Sequence, residues 1–165
     1  MARIGVISDT HGFLRSDVFG AFQGVERILH AGDVGEPRIL TELEVVAPVT
    51  AVWGNVDGPR VRDATREVEE GEAAGVRFAL VHGHQVRDYA ELPGRFPGAD
   101  LVVHGHSHVP TVGRRDGTVL LDPGSAGPKR SGKPVTVALV EVEGGGISVR
   151  HLDLETGEEH RANEG

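Results

Sequence analysis

Residues 4–11 read Ile-Gly-Val-Ile-Ser-Asp-Thr-His: an apolar run, Ile4 to Ile7, that stops at Ser8-Asp9. A short apolar run with polar flanks reads as a buried strand ending in a loop. The pattern then recurs. Arg27 to Leu29 leads into His30-Ala31-Gly32-Asp33, and Val49 to Trp53 into Gly54-Asn55. Val76 to Val81 leads into His82-Gly83-His84, and Leu101 to Val103 into His104-Gly105-His106. Loops that follow successive strands are expected to gather along one edge of a sheet, and in open α/β sheets the carboxyl edge takes the ligand.

Helical signals fall between these strands. Ser16 to Gln23 reads as a short helix with Ser16 as N-cap. Glu36 to Val46 carries apolar residues at helical spacing (Ile39, Leu40, Leu43, Val46), with Pro37 in the first turn. Alternation of this kind predicts a layered α/β domain. The second half changes character. Val112 to Leu121 reads as a hairpin turning at Asp116-Gly117. Val135 to Val142 and Ile147 to Leu154 read as strands joined at Gly144-Gly145-Gly146, so the sheet is expected to turn antiparallel towards the C-terminus. The polar tail, residues 155–165, is expected to fray. With no long linker and no fixed-period repeat, residues 1–165 read as a single domain.

Composition narrows the chemistry. The chain has 165 residues, 38% hydrophobic and 25% charged, a globular balance. It has no cysteine, which excludes disulfides, a thiol nucleophile and every thiolate metal site. Lys+Arg is 17 against Asp+Glu 25, a net charge of −8, so no broad nucleic-acid surface is expected. Lys129 and Lys133 are the only lysines; this bias fits heat adaptation or a GC-rich coding preference equally. No signal peptide and no membrane-length apolar run is evident, so a cytoplasmic protein is expected.

Of nine histidines, His11, His82, His84, His104, His106 and His108 fall in strand-end loops. Asp9 and His11 are spaced i, i+2, as are His106 and His108; in extended backbone such pairs share a face. Asp33 and Asn55 add a carboxylate and an amide from two more strand ends. Carboxylate, imidazole and amide donors suit Mn, Fe or Zn.

Asp9-Thr10-His11, Gly32-Asp33, Gly54-Asn55-Val56-Asp57, His82-Gly83-His84 and Gly105-His106-Ser107-His108 resemble, in order, the five motifs of the calcineurin-like metallophosphoesterases. The short length and Asp122-Pro123-Gly124-Ser125 look most like the small bacterial and archaeal phosphodiesterases of that family. The resemblance spans residues 1 to about 130. It implies a four-layer α/β/β/α sandwich of two mixed sheets. It implies that Asp9, His11 and His108 hold one divalent metal, that Asn55, His82 and His106 hold a second, and that Asp33 bridges them. Mn²⁺ is favoured, with Fe, Zn or Ni as alternatives. Metals ~3.5–4 Å apart can share one water, whose hydroxide attacks a phosphoester in line with the leaving group. The net charge of such a site, about +1, would attract phosphate despite the acidic chain. Asp33, Asn55 and His84 are the expected catalytic residues, His84 as a support for His82 or a phosphate contact unless it simply bonds a backbone carbonyl.

Val56 departs from the pattern. Many relatives have a leaving-group histidine there, and valine cannot donate a proton, which tilts the expectation towards phosphodiesters with good leaving groups. A phosphomonoesterase or nucleotide pyrophosphatase with the same metals is the enzymatic alternative. The rival of another class is a non-catalytic interaction scaffold, as in the retromer subunit of this fold. A small phosphoester is the expected partner, and a homodimer follows from the habit of small relatives.

Other residues divide between function and structure. His30 and His104 support metal ligands or simply fill the core. Asp57 orients a ligand histidine or the loop, or serves the Gly58-Pro59 turn. Asp122 stands where relatives often have Asn. His151 and His160 read as solvated, and Trp53 as core. Residues 127–134, Gly-Pro-Lys-Arg-Ser-Gly-Lys-Pro, nearly match a phosphate-binding loop. They fail at Pro134, and the strand expected next replaces the motif's helix. A basic loop at the site entrance is the reading preferred.

Overall fold

The computed structural model describes residues 1–164. Its elements in chain order are β1 (Ala2–Ile7), α1 (Asp17–Ala21), β2 (Arg27–His30), α2 (Pro37–Leu43), β3 (Val49–Ala51), α3 (Pro59–Ala64), β4 (Val68–Ala73) and β5 (Val76–Val81). A 3₁₀ turn, Tyr89–Glu91, precedes α4 (Leu92–Arg95). Then follow β6 (Leu101–Val103), β7 (Thr111–Arg115), β8 (Thr118–Asp122), β9 (Thr136–Glu143), β10 (Gly146–Asp153), β11 (Glu159–His160) and β12 (Asn163–Glu164). They form two six-stranded mixed sheets, ordered β11-β10-β9-β1-β2-β3 and β12-β7-β8-β6-β5-β4.

The apolar runs are continuous because each sheet is covered on both faces. Alternate residues of one strand go to different layers. In β1, Ile4 and Val6 face the space between the sheets, whereas Ile7 joins an outer cluster. In β5, Phe78 and Leu80 point inward while Ala79 and Val81 point outward. The inner cluster joins Leu29 and Val140 of the first sheet to Leu101, Val103 and Leu121 of the second. Outside the first sheet, Val18, Ile39, Leu43 and Val61 of α1–α3 pack on Ile28 and Leu139. Outside the second, Leu92 of α4 packs on Val102 and Leu120. Helix, sheet, sheet, helix is the four-layer order expected.

Several details differ from the sequence reading. The strand-end loops gather at one end of the sandwich, but from two sheets. The Thr111–Asp122 hairpin belongs to the second sheet, whereas β9 and β10 return to the first, antiparallel to β1. Ser16 does not cap α1: its backbone is already helical, and its side chain makes no capping bond. The second helix stops at Leu43, and β3 at Ala51, with Val52 bridging to Arg66. β4, antiparallel to β5, carries the sequence VEEGEA. Its acidic residues hide a strand signal but suit a sheet edge, where charge blocks pairing with other chains. The tail expected to fray, described as far as residue 164 with residue 165 outside the described residues, pairs twice, β11 with β10 and β12 with β7, so it straps one sheet to the other. Among the described residues no helix is long and apolar enough to cross a membrane.

Candidate metal centre

The loops after β1, β2, β5 and β6 converge at the seam between the sheets. Two triads result, Asp9 with His11 and His108, and Asp33 with His82 and His106. In each, one donor atom per residue lies within 4.8 Å of the others. The triads share a wall. Asp33 Oδ2 is 3.2 Å from His82 Nε2 and 3.9 Å from His11 Nε2. Asp9 Oδ1 is 3.2 Å from His108 Nε2 and 3.9 Å from His82 Nε2. Both carboxylates therefore face both groups of imidazoles.

Convergence does not come from extended backbone. Asp9, His11, Asp33, His106 and His108 all have positive φ, between 48° and 72°. The i, i+2 pairs meet through left-handed turns, not by sharing a strand face. Asp and His visit that region more readily than most residues, yet each instance costs on the order of 1–3 kcal/mol. Strain of this kind persists where surrounding contacts over-determine it. Close approach adds a demand for glycine. A Cβ on Gly54 would overlap Asp33 Oδ1, and one on Gly105 would overlap Ser8 Oγ.

The supporting bonds aim each donor. Asp9 Oδ2 accepts from Ser8 Oγ (2.7 Å) and from the His106 N–H (3.1 Å), leaving Oδ1 for the site. Asp33 Oδ1 accepts from the Val56 N–H (3.0 Å), leaving Oδ2. His82 Nδ1 donates to Ala31 O (2.8 Å), so the Nε2 lone pair faces inward. Asp57 turns out to be a clamp between two loops. Its carboxylate accepts from the N–H groups of Val34, Gly35 and Gly54. His30 is structural: Nδ1 accepts from Gly32 N–H, so Nε2–H donates to Thr10 Oγ1 at 3.0 Å.

Charge is arranged for cations. Burial alone would raise Asp33, but His82, the Val56 N–H and His11 outweigh it and hold it down to about 2. Burial also works against Asp9, where contacts from His108, His82 and Ser8 hold it below its ordinary value. His11, His84 and His106 are lowered, chiefly by burial, and so present neutral rings. Burial would lower His82 too, but Asp33 and Asp9 outweigh it and raise it. Asp9 Oδ1 and His11 Nε2 are buried without any hydrogen-bond partner. Clustered oxygen and nitrogen donors with orphaned atoms among them fit divalent metal ions.

The remaining sequence candidates lie around this centre. Asn55 follows Gly54 against Asp33, with its residue exposed. His84 joins neither triad; its ring stands 5.6 Å from that of His82 and 6.4 Å from that of His106. Trp53, expected in the core, packs on it from a half-buried position between the Arg62 guanidinium (4.2 Å) and the His84 ring (5.7 Å). Val56 is 66% exposed. His151, expected in solvent, is buried, and its Nε2 donates to Asp122 O (2.8 Å). The basic loop reaches the site through Lys133, whose Nζ donates to Ser107 O (3.1 Å). The reading of the sequence missed Ser8, Ser107 and Ser125, which hold the metal loops. Their position beside Asp9, between two histidines, and after Pro-Gly was the available signal.

Comparison with known proteins agrees with this geometry. A family model described as the calcineurin-like phosphoesterase superfamily domain matches residues 2–145. A probable metallophosphoesterase of Methanothermobacter thermautotrophicus is 40% identical over 150 residues, covering 86% of each chain. A protein named phosphodiesterase from Methanocaldococcus jannaschii is 27% identical over 160 residues, covering 86% of this chain and 93% of its own. Vacuolar protein sorting 29 from Cryptosporidium parvum shares the fold, with a TM-score of 0.82 at 21% identity over 96% of this chain and 94% of that one. Matched over most of its length by family model and relative alike, the chain belongs to the calcineurin-like phosphoesterase superfamily.

Proposed function

We propose that the chain is a phosphodiesterase that hydrolyses small phosphodiesters with water, using two divalent cations. Asp9, His11 and His108 would hold one cation, Asn55, His82 and His106 the other, with Asp33 between them. The observation that carries this reading is the pair of adjoining triads with both carboxylates facing both. When bound, the cations supply positive charge for the phosphate oxygens and a water acidic enough to attack at neutral pH.

The chain's own groups do the rest. Ser8 and the His106 N–H direct Asp9, and Ala31 O fixes the His82 tautomer. His84, beside the second triad, is placed to donate to a phosphate oxygen. Val56 leaves the leaving-group side without a proton donor, so esters with acidic leaving groups are favoured. The name of the Methanocaldococcus relative supports the diesterase reading. A donor set without thiolate favours Mn²⁺, with Fe, Zn or Ni as alternatives. The second reading, a scaffold without catalysis, draws on the fold shared with vacuolar protein sorting 29. Elemental analysis, followed by turnover of aryl phosphodiesters and aryl phosphomonoesters with Mn²⁺, tests these readings. Faster diester turnover is expected. Monoester turnover as fast or faster defeats the diesterase assignment, and metal-loaded protein without turnover supports the scaffold.

A further inference from the structure

Ser107 separates His106 from His108 and is held on every side. Its N–H donates to Gly105 O at 2.9 Å across His106, whose φ is 72°. That bond and φ are those of the rare, strained γ-turn. Its backbone oxygen accepts from Lys133 Nζ. Its Oγ accepts from the Val109 N–H (3.0 Å), and also lies 2.5 Å from Asp122 Oδ2 and 3.2 Å from Val109 O.

Both of those last partners are oxygens, and a serine hydroxyl carries one proton. With Asp122 ionised, that proton serves one oxygen and the other contact is lone pair against lone pair. With Asp122 protonated, its Oδ2–H donates to Ser107 Oγ, and Ser107 Oγ–H donates to Val109 O. Every contact in the cluster is then a hydrogen bond.

The surroundings agree. Asp122 is wholly buried at the end of β8. Its Oδ1 accepts from the Gly124 N–H at 2.8 Å. His104 Nδ1 is 3.5 Å from Oδ2 but donates to Gly105 O at 2.9 Å. His151 from β10 donates to the backbone carbonyl of Asp122, not to its carboxyl. Asp9, in the loop after β1, opposes ionisation; His82, in the loop after β5, favours it. Tyr89, stacked on His104, is a further titratable neighbour, and Thr111 of β7 pairs with Asp122 uncharged.

We infer that Asp122 is a positioning residue that keeps its proton in the folded chain and donates it to Ser107 Oγ, locking the turn that carries His106 and His108. The inference rests on the dinuclear reading only for what the turn serves. Burial pushes the Asp122 carboxyl up to about 7, against the pull of Ser107 and Gly124.

The test begins on metal-free protein. The infrared difference between wild type and D122N at about pH 6 should contain the C=O stretch of a protonated carboxyl, giving way to carboxylate bands at higher pH. An ionised carboxylate at that pH overturns the inference. Amide exchange at Ser107 and Val109 should quicken about tenfold in D122A, the worth of one hydrogen bond. It should stay at the wild-type rate in D122N, whose amide N–H can still donate to Ser107 Oγ. Mn²⁺ titrated by calorimetry should bind about 10–100-fold more weakly to D122A, as for loss of a group supporting metal ligands, and unchanged to D122N. Exchange or binding in D122N impaired like that of D122A refutes the role of the proton. Should D122A fail to fold, S107A removes the other partner and should show the same quickened exchange at Val109. If wild type binds no Mn²⁺, the dinuclear reading falls, while the infrared and exchange results still decide this inference.

Discussion

The two sheets contribute unlike halves to the metal centre. Loops of the first sheet carry both carboxylates, Asp9 and Asp33, with His11; loops of the second carry His82, His106 and His108 and no acid of the triads. Each triad nevertheless draws on both sheets. Neither sheet alone has a site, so the centre exists only when the inner core of Ile4, Val6, Leu80, Val103 and Leu121 has docked them. The halves are also supported differently. Asp9 takes its backbone N–H from across the seam, at His106, whereas Asp33 takes its own from a loop of the same sheet, at Val56. Rigidity is supplied by the core and by buried polar clamps, while Asp9, His11, Asp33, His106 and His108 sit in strained turns.

The contrast can be broken most severely at Asp33, the carboxylate that faces both triads. D33A should lose both cations together, and phosphodiester turnover should fall about 1,000-fold, the several kcal/mol that metal charge supplies. Two ions per chain retained by elemental analysis would contradict the bridging position.

Acid should strain the supports on both sides of the seam. Burial holds His30 and His104 down to about 4. Both titrate near 6.5 when unfolded, so between those values the unfolded chain binds the extra proton and stability is lost as pH falls. The loss reaches up to about 3 kcal/mol for each histidine. Asp122, raised to about 7, runs the other way: from 7 down to 3.8 the folded state holds the extra proton and gains. Thermal melts of metal-free protein should therefore fall from about pH 7 to about pH 4, more steeply in D122N. A flat profile would mean that these histidines are not neutral in the fold.

Asn55 sharpens the comparison within one half. N55A should weaken the second cation about 10-fold, roughly 1.4 kcal/mol, and leave the first nearly unchanged; calorimetry with Mn²⁺ separates the two. The smallest effect belongs to Val56. V56H restores a proton donor at an exposed position and should raise monoester turnover relative to diester by about 10-fold or less. An unchanged ratio would show that leaving-group protonation does not set the preference.

How much of this was legible varies by residue. Of the five strands followed by glycine and a ligand-type residue, β1, β2, β5 and β6 could be read because buried strands leave continuous apolar runs, and β3, half-buried at a sheet edge, because its short run ends at Gly54-Asn55. β4 could not, because its edge position tolerates Glu69, Glu70 and Glu72 where a central strand would not. The histidines of the site were legible as a cluster, but the geometric reason given for their pairing was wrong: left-handed turns, not a shared strand face, bring Asp9 to His11. Asp57 and His30 were visible only as alternatives, since nothing local distinguishes a loop clamp from a simple turn or a core filler. His151 read as solvated because its burial depends on Asp122 from another strand.

By itself the sequence determined the inventory of candidate metal donors, the apolar strands and the polarity of their ends, because those follow from local alternation and from which side chains can bind a cation. Tertiary structure decided which sheet each hairpin joins, which nitrogen of each ring faces inward, and which carboxylate keeps a proton. Those outcomes depend on hydrogen bonds and desolvation between residues such as Ser107 and Asp122, which only the docking of the two sheets and their loops brings within reach.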